Sequence, residues 1–432
     1  MTQVEKRGLG RLRRWIATGG GVYAAAAFGI ATTIAAARIL GPDDFGLFAL
    51  ALTASLFLQG LLDVTAEEAG VKFGIRFASA EDWGRLRQAL RTVLGLKAVG
   101  GCAAGALVAV LALGADTLFD TSGLTTPMLL AALIPIVQIP EAYAVGLLVR
   151  GRYELRSALF GMSAGLRLVA VLLGAPSGVT RAIAYLVVAQ GVAALVAALV
   201  SVRVLRDYPA APRAPLGDAR PEFWGFVWRS SVGSGLVSLR MWARPVLLGL
   251  VAVPAQVGFL RAAQAAEVGA AAGSAPARLV LLGEHTRAWE QGDQSRVIRG
   301  AARYTALGSL IAAVVAVPTI ALAGWWVPAV FGDDYDGAVS TFRFVLAAAA
   351  VQFAFSWNKP FAVAIGRPGL RSWIYAAEVA VLLPLVLILG SSMGAEGAGM
   401  ATLVSTIVFA AAWAVVLWRM ARRDGQDDAA VT

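Results

Sequence analysis

About twelve stretches of roughly 20 apolar residues follow one another along the chain and limit what it can fold into. A helix of that length crosses the hydrocarbon core of a bilayer, which is about 30 Å thick. Hydrophobic residues fill 58% of the 432 positions and charged residues only 15%, a balance that a soluble protein of this size does not have. The sequence predicts an all-α polytopic membrane protein. Its predicted spans are 16–39, 45–65, 92–114, 127–149, 157–175, 181–202, 225–252, 257–282, 303–327, 339–364, 373–392 and 398–418.

The two halves of the chain repeat each other weakly. Matching motifs recur in the same order, 212 to 215 residues apart. Internal repeats of this kind build secondary transporters, in which the substrate path lies between the two halves. The matched motifs are Leu118-Phe119 with Val330-Phe331, Val137-Gln138 with Val351-Gln352, and Gly151 with Gly366.

A polar, proline-rich stretch separates the two halves. Prolines 209, 212, 215 and 221 lie in or beside it, and proline at that density disfavours helix. We therefore predict four parts. They are an N-terminal six-helix lobe over residues 1–202, a cytoplasmic linker over 203–224, a C-terminal six-helix lobe over 225–420 and a cytoplasmic tail over 421–432.

The net charge of +10 reflects membrane topology rather than nucleic-acid binding. Basic residues concentrate at the N-terminus, in alternate loops and at the C-terminus, whereas the opposite loops are acidic. Positive charge accumulates on the cytoplasmic side of membrane proteins, so we expect both termini to be cytoplasmic and the basic loops to face anionic lipids. The basic set includes Lys6, Arg7, Arg11, Arg13, Arg14, Lys72, Arg76, Arg85, Arg87, Arg91, Arg419, Arg422 and Arg423.

The basic N-terminus leads into an apolar run that is longer than the core of a signal peptide, so we expect an uncleaved first span. One cysteine (Cys102) excludes an internal disulfide, and with one histidine (His285) it does not make a conventional zinc site. We expect no cofactor.

Charged residues inside predicted spans are costly and therefore indicate function. In the seventh span, Arg229, Arg240 and Arg244 lie on one helical stripe with Ser230 and Ser234 beside them. The planar guanidinium of arginine suits a diphosphate, because it forms bidentate, charge-assisted hydrogen bonds. Arg229 could equally place its head at the interface, and Arg240 and Arg244 could instead form structural ion pairs.

Two sets of candidate site residues follow. The predicted anion-binding residues are Arg240, Arg244, Arg38, Arg261, Lys359, Ser230 and Ser234. The acids Glu141, Glu267 and Glu378, with Asp63 near a span end, could either neutralise an arginine or couple transport to an ion. Glu141 is the strongest coupling candidate, because Pro140 before it removes a helix hydrogen bond and opens a bend.

One motif resembles a known family. The turn Leu40-Gly41-Pro42-Asp43-Asp44-Phe45-Gly46 resembles that of the polysaccharide-transporter branch of the MOP flippase superfamily, the Wzx-like group. Residues 331–335 and 394–398 are similar to later turns of that group. The resemblance implies two six-helix lobes in a MATE/MOP-like V around a cavity, whose cationic residues hold an anionic headgroup.

The function that this resemblance and the arginines favour is a flippase. It would move a polyprenyl-diphosphate-linked oligosaccharide to the outer face of a bacterial plasma (inner) membrane by alternating access, in polysaccharide or lipopolysaccharide biosynthesis. The expected partners are this substrate, membrane lipids and glycan-assembly enzymes. A multidrug or cation antiporter of the same superfamily is the alternative. A membrane glycan polymerase or ligase is disfavoured, because the outward loops are short and contain no histidine, so we expect no enzymatic activity.

Overall fold

The computed structural model describes the backbone of residues 3–62 and 66–431, and for residues 3–18, 279, 368 and 423–431 it describes the backbone alone. Asp63 lies outside the described residues. The described part of the chain is helical and contains no β-strand.

The helices follow one another with short connections. In chain order they are α1 (Gln3–Leu62), α2 (Ala66–Ser79), α3 (Trp83–Leu113), α4 (Ala115–Leu118), α5 (Thr125–Ala131), α6 (Ile134–Val137), α7 (Val145–Val149), α8 (Tyr153–Gly174), α9 (Val179–Leu205), α10 (Arg220–Gly249), α11 (Pro254–Ala263), α12 (Ala265–Glu290), α13 (Gln294–Ala321), α14 (Ala323–Phe331), α15 (Val339–Ala354), α16 (Asn358–Ala364) and α17 (Pro368–Val431). Short 3-10 helices cover Ile139–Ala144, Ala175–Ser177, Gly217–Ala219 and Asp333–Ala338.

Eight helical segments among the described residues are long and apolar enough to cross a membrane. Two of them, Gly19–Leu62 with 44 residues and Gly369–Arg422 with 54, are long enough to cross twice. Each is interrupted by one glycine with non-helical backbone, Gly41 or Gly394. These eight segments therefore account for ten of the predicted spans.

The other two predicted spans, 225–252 and 257–282, are helical as α10 and as α11 followed by α12. They are not among the eight apolar segments. Their buried surface includes Arg244, Gln264 and Glu267, and these polar side chains lower the apolar content of both spans.

Prolines break the predicted fourth span, 127–149. The structure divides it into α5, α6, the 3-10 helix Ile139–Ala144 and α7. Pro140 lies in that 3-10 helix, one residue before Glu141, because proline cannot donate the hydrogen bond that a continuous α-helix needs. The α-helix is therefore interrupted at Pro140, where the sequence predicts a bend.

The chain divides into two compact units, Met1–Trp242 and Ala243–Thr432. The division falls within α10, whereas the proline-rich segment from which the linker was predicted belongs to the first unit. Residues 206–216 of that segment are not helical. The Arg87 guanidinium holds this segment against α3 by donating hydrogen bonds to the carbonyl oxygens of Ala211 (2.9 Å) and Pro209 (3.2 Å).

In the first unit, α1 packs closely along α8. Gly21 of α1 lies directly against Ser157 of α8, and a Cβ atom at Gly21 would be 2.6 Å from the Ser157 carbonyl carbon. Gly161, one turn after Ser157, also faces α1. Small residues at such a crossing let two membrane helices approach closely enough for dispersion forces to hold them.

In the second unit, an aromatic cluster joins α16 to α17. Trp357, Phe361 and Trp413 are fully buried, and their rings meet edge to face with centroids 5.1 to 6.1 Å apart. Such pairs add to the free energy gained by burying the rings. The His285 ring of α12 packs edge-on against the same Phe361 ring.

The internal repeat is visible in the local backbone. Gly151 and Gly366, paired in the sequence comparison, have φ angles of 69° and 67°, a left-handed conformation that glycine adopts without steric cost. Asp82 and Asp293, 211 residues apart (293 − 82), cap α3 and α13 with nearly the same backbone angles. Each carboxylate accepts a hydrogen bond from a backbone N–H three residues later. This hydrogen bond, more than any other effect, holds the pKa of Asp293 below its ordinary value.

Candidate functional site

Arg244 forms a buried ion pair in the second unit. Its Nη1 and Nη2 atoms donate to Glu267 Oε1 (2.9 Å) and Oε2 (2.6 Å), a bidentate arrangement between α10 and α12. Nη1 also donates to Thr402 Oγ1 of α17 (3.1 Å). The Arg244 side chain is 1% exposed and that of Glu267 is 7% exposed, so three helices meet at one neutralised charge pair.

Arg261 lies beside this pair. It interacts electrostatically with both Arg244 and Glu267, and its Nη1 atom donates to Gln264 Oε1 at 3.4 Å. Arg261 is half-buried, whereas Gln264 is fully buried. The cluster of Arg244, Arg261 and Glu267 therefore contains two positive charges and one negative charge.

The other two candidates of the second unit belong to later helices. Glu378 is buried in α17, and Lys359 is exposed on α16.

In the first unit, Arg240, Ser230 and Ser234 are half-buried on α10, and Arg38 is exposed on α1. Arg240 precedes Arg244 by one helical turn and is far less buried. The arginine stripe that the sequence predicts therefore contains one fully buried arginine, Arg244, and one half-buried arginine, Arg240.

Glu141 belongs to a polar group in the first unit. Arg156 Nη1 of α8 donates to Glu141 Oε1 at 3.2 Å, and Arg167 interacts electrostatically with the same carboxylate. Glu141 thus has a basic partner, as expected from the hypothesis that it neutralises an arginine.

Three glutamines connect helices near Glu141. Gln59 Nε2 of α1 donates to Gln138 Oε1 at 2.9 Å, and Gln138 Nε2 donates to Gln190 Oε1 of α9. At the matching position of the second unit, Gln352 Nε2 donates to Thr406 Oγ1 of α17 at 3.2 Å. Each repeat therefore uses a glutamine to join its fourth span to its sixth.

Of the predicted site residues, the structure brings together Arg244, Arg261 and Glu267, while Glu141 lies in the other unit. Sequence reasoning missed Gln264 and Thr402. The three-residue spacing of Arg261, Gln264 and Glu267 places them close together along the helix, and that spacing is a signal that could have revealed Gln264. Nothing near Thr402 in the sequence indicates its contact with Arg244, 158 residues away.

Chemically, the cluster in the second unit offers hydrogen-bond donors that suit an anion. Its guanidinium and amide N–H groups lie in a region predicted to be inside the membrane. Among the described residues, no group of three or more histidine, cysteine or acidic residues could hold a metal ion.

Solved structures of membrane transporters share this fold. The "Lipid II flippase MurJ, inward closed conformation" superposes with a TM-score of 0.73 at 10% identity, over 92% of this chain and 86% of that one. An inward-facing multidrug resistance MATE family transporter of the MOP superfamily gives 0.59 at 13% identity, over 94% and 96%. A mutant of the Vibrio cholerae MATE transporter VcmN gives 0.56 at 15% identity, over 96% of both chains. No match was found among curated protein sequences.

The fold is similar to that of these multi-pass membrane transporters over nearly the whole chain, which confirms the fold class predicted from the sequence. The family model described as "Polysaccharide biosynthesis protein" matches residues 12–269. The chain belongs to that family, in agreement with the resemblance found at the Gly41–Gly46 turn.

Proposed function

We propose that the protein is a flippase for a lipid-linked oligosaccharide. It moves a polyprenyl-diphosphate headgroup from the cytoplasmic to the outer face of a bacterial plasma membrane by alternating access. The oligosaccharide is a precursor of a surface polysaccharide or lipopolysaccharide. Membership of the polysaccharide biosynthesis family and a fold like that of a lipid II flippase support this proposal.

The observation that carries the proposal is the charge of the cluster around Glu267. Arg244 and Arg261 both interact with this one carboxylate, so two guanidinium groups lie together beside it. Guanidinium groups bind a diphosphate through charge-assisted hydrogen bonds, whereas they repel a cationic drug.

Arg261 is the arginine of the second unit that we propose for direct contact with the headgroup, because it is half-buried. Arg240, which is half-buried in the first unit, remains a separate prediction for such a contact. Arg244 is fully buried and its guanidinium holds Glu267 and Thr402, so we propose that it acts in the same site by fixing Glu267. Ser230, Ser234, Arg38 and Lys359 remain predictions as further contacts.

Membrane potential can drive the movement without ATP. A potential that is negative inside favours outward movement of an anion by about 2.3 kcal/mol per charge per 100 mV. We propose Glu378 and Glu141 as candidates for additional coupling to an ion, and we place both termini on the cytoplasmic side. Enzymes of glycan assembly are the proposed protein partners.

Transport by proteoliposomes tests the proposal. Full-length protein is reconstituted with a fluorescent polyprenyl-diphosphate oligosaccharide, and protection from a membrane-impermeant quencher reports translocation. We expect Arg240→Gln and Arg261→Gln to slow translocation by about tenfold or more, because each removes a charge-assisted hydrogen bond. Arg203→Gln, at an exposed arginine of α9, is the matched control and should translocate at the wild-type rate.

The multidrug antiporter is the second candidate, supported by the similarity to the two MATE structures. The same proteoliposomes, loaded with a cationic dye, test it directly. Dye export by wild-type protein with no movement of the lipid would reject the flippase proposal in favour of this one.

A further inference from the structure

Gln264 separates two helices inside a predicted membrane span. It follows the last residue of α11, Ala263, and precedes the first residue of α12, Ala265. The eighth span was predicted as continuous from residue 257, so the break lies seven residues, or about 10 Å, into it. The first turn of a helix presents backbone N–H groups and the positive end of the helix dipole.

The orientation of the Gln264 amide is set by its neighbour. Arg261 Nη1 donates to Oε1, which identifies that atom as the oxygen because a guanidinium can only donate. The other amide atom, Nε2, is fully buried and has no hydrogen-bond acceptor in the part of the chain that the structure describes. Gln264 itself is only 4% exposed. A buried donor without an acceptor is rare and costly in folded proteins.

The carboxylate nearest along the helix does not supply the missing acceptor. Both oxygens of Glu267 accept hydrogen bonds from Arg244. The Arg244–Glu267 pair therefore neutralises the negative charge that would otherwise repel an anion from the start of α12. The guanidinium of Arg261, the unpartnered amide nitrogen of Gln264 and the start of α12 lie together at this break.

We propose that Arg261, Gln264 and the start of α12 form a binding site for a phosphate oxyanion, with Gln264 Nε2 as a hydrogen-bond donor to a phosphate oxygen. Helix termini inside membrane spans are well suited to this role, because they offer donors where water is absent. Nε2 is inaccessible in this structure, so the site is closed here and the oxyanion enters when the break opens. The choice of phosphate rests on the proposed function, whereas the need for an acceptor rests on Gln264 alone.

Binding to purified full-length protein in detergent tests the site. Three probes separate the sources of phosphate: geranylgeranyl diphosphate, inorganic pyrophosphate, and geranylgeraniol, which has the lipid tail without phosphate. Binding is followed by intrinsic tryptophan fluorescence. We expect the lipid diphosphate to bind and the alcohol to bind at least tenfold more weakly. Tighter binding of pyrophosphate than of the lipid diphosphate would support the oxyanion site and assign it to soluble phosphate.

Substitutions then identify the donor. Gln264→Met keeps the length of the side chain and should weaken binding about tenfold. Gln264→Glu keeps an oxygen to accept from Arg261 but replaces the donor by an acceptor, so it should abolish binding while the melting temperature stays near that of the wild type. Gln352→Met is the control, since that half-buried glutamine already donates to Thr406; it should bind like the wild type.

The site is rejected if Gln264→Met binds geranylgeranyl diphosphate as tightly as the wild type, or if the wild type binds neither phosphate probe. The proposed function fails separately. If binding depends on Gln264 but no translocation occurs, the flippase proposal is rejected and the phosphate site is retained. If Gln264→Met translocates the lipid like the wild type, the phosphate site is rejected and the flippase proposal is retained.

Discussion

Arg244 and Glu267 each carry a charge that hydrocarbon cannot solvate, and each satisfies the other through two short hydrogen bonds. A buried pair of this kind contributes little net stability compared with apolar residues of similar size. Its importance appears when one partner is lost, because the remaining charge is then buried without compensation. Substitution of either partner alone should therefore destabilise the second unit.

We expect Arg244→Met to lower the free energy of unfolding by about 3–5 kcal/mol and Glu267→Gln to lower it by a similar amount. The double variant should recover part of that loss, because it removes both charges of the pair, whereas Arg261 keeps its charge. Thermal unfolding of the four proteins in detergent, followed by tryptophan fluorescence, measures the coupling. If the double variant is as unstable as the sum of the two single variants, the ion pair is not the reason for the loss.

Asp116 gives a pH-dependent prediction outside the membrane spans. Burial raises the pKa of this carboxyl, but hydrogen bonds from the Leu124 and Thr125 N–H groups and the Thr125 hydroxyl lower it more, so the pKa lies below its ordinary value of 3.8. A carboxylate with a depressed pKa stabilises the fold above its unfolded pKa, and this stabilisation is lost as the pH falls through the folded pKa.

Asp116→Asn should therefore melt at a lower temperature than the wild type at pH 7, corresponding to about 1 kcal/mol. The difference should shrink steadily as the pH falls from about 5 to about 3. Melting curves of both proteins across that range measure it. A difference that stays constant down to pH 3 would show that the charge of Asp116 is not what stabilises the loop.

At the residue scale, sequence reasoning found the charged residues but not their partners. The cost of burying charge shows that Arg244 and Glu267 need compensation wherever they lie. Which residues meet depends on how α10, α12 and α17 pack, and the spacing of residues within one helix contains no information about that packing. The contact of Arg244 with Thr402, from the far end of the chain, is the clearest example.

At the scale of helices, α1 and α8 of the first unit approach each other closely where Gly21 lies against Ser157. We expect Gly21→Ala to lower the free energy of unfolding by about 1–3 kcal/mol, because its Cβ would overlap the Ser157 backbone, which cannot rotate away. The neighbouring Gly20 has no atom within 4 Å of the same position. Gly20→Ala should be neutral or slightly stabilising, since alanine favours helix.

Thermal unfolding of the two alanine variants, each compared with the wild type, checks this prediction. They differ by one position on one helix, so membrane insertion and expression are matched. Equal melting temperatures for the two variants would mean that α1 and α8 do not cross at Gly21.

The apolar pattern predicts where helices lie in the chain, because burial in hydrocarbon requires long apolar stretches. It does not predict the breaks equally well. Proline indicates the interruption near Glu141, since its ring removes a backbone donor. No such residue lies at the break after α11, where Gln264 has ordinary helical backbone angles; the polar residues around it are the only indication.

At the scale of the whole molecule, the internal repeat was the most informative pattern. A few weak motif matches led to the prediction of two related halves, and the similar φ angles of Gly151 and Gly366 and the similar caps at Asp82 and Asp293 agree with it. The lobe boundaries at residues 202 and 225 remain a prediction. The division of the structure within α10 depends on packing that composition does not encode.

The modest apolarity of α10 makes its insertion into the membrane during synthesis less favourable. Arg244 emerges 23 residues before Glu267, and an arginine near the middle of a membrane helix costs about 2.5–3.5 kcal/mol to insert. Insertion of α10 alone carries that cost, and part of it is recovered only when α12 follows. We therefore expect α10 to reach its final depth in the membrane together with α12, whose Glu267 neutralises Arg244.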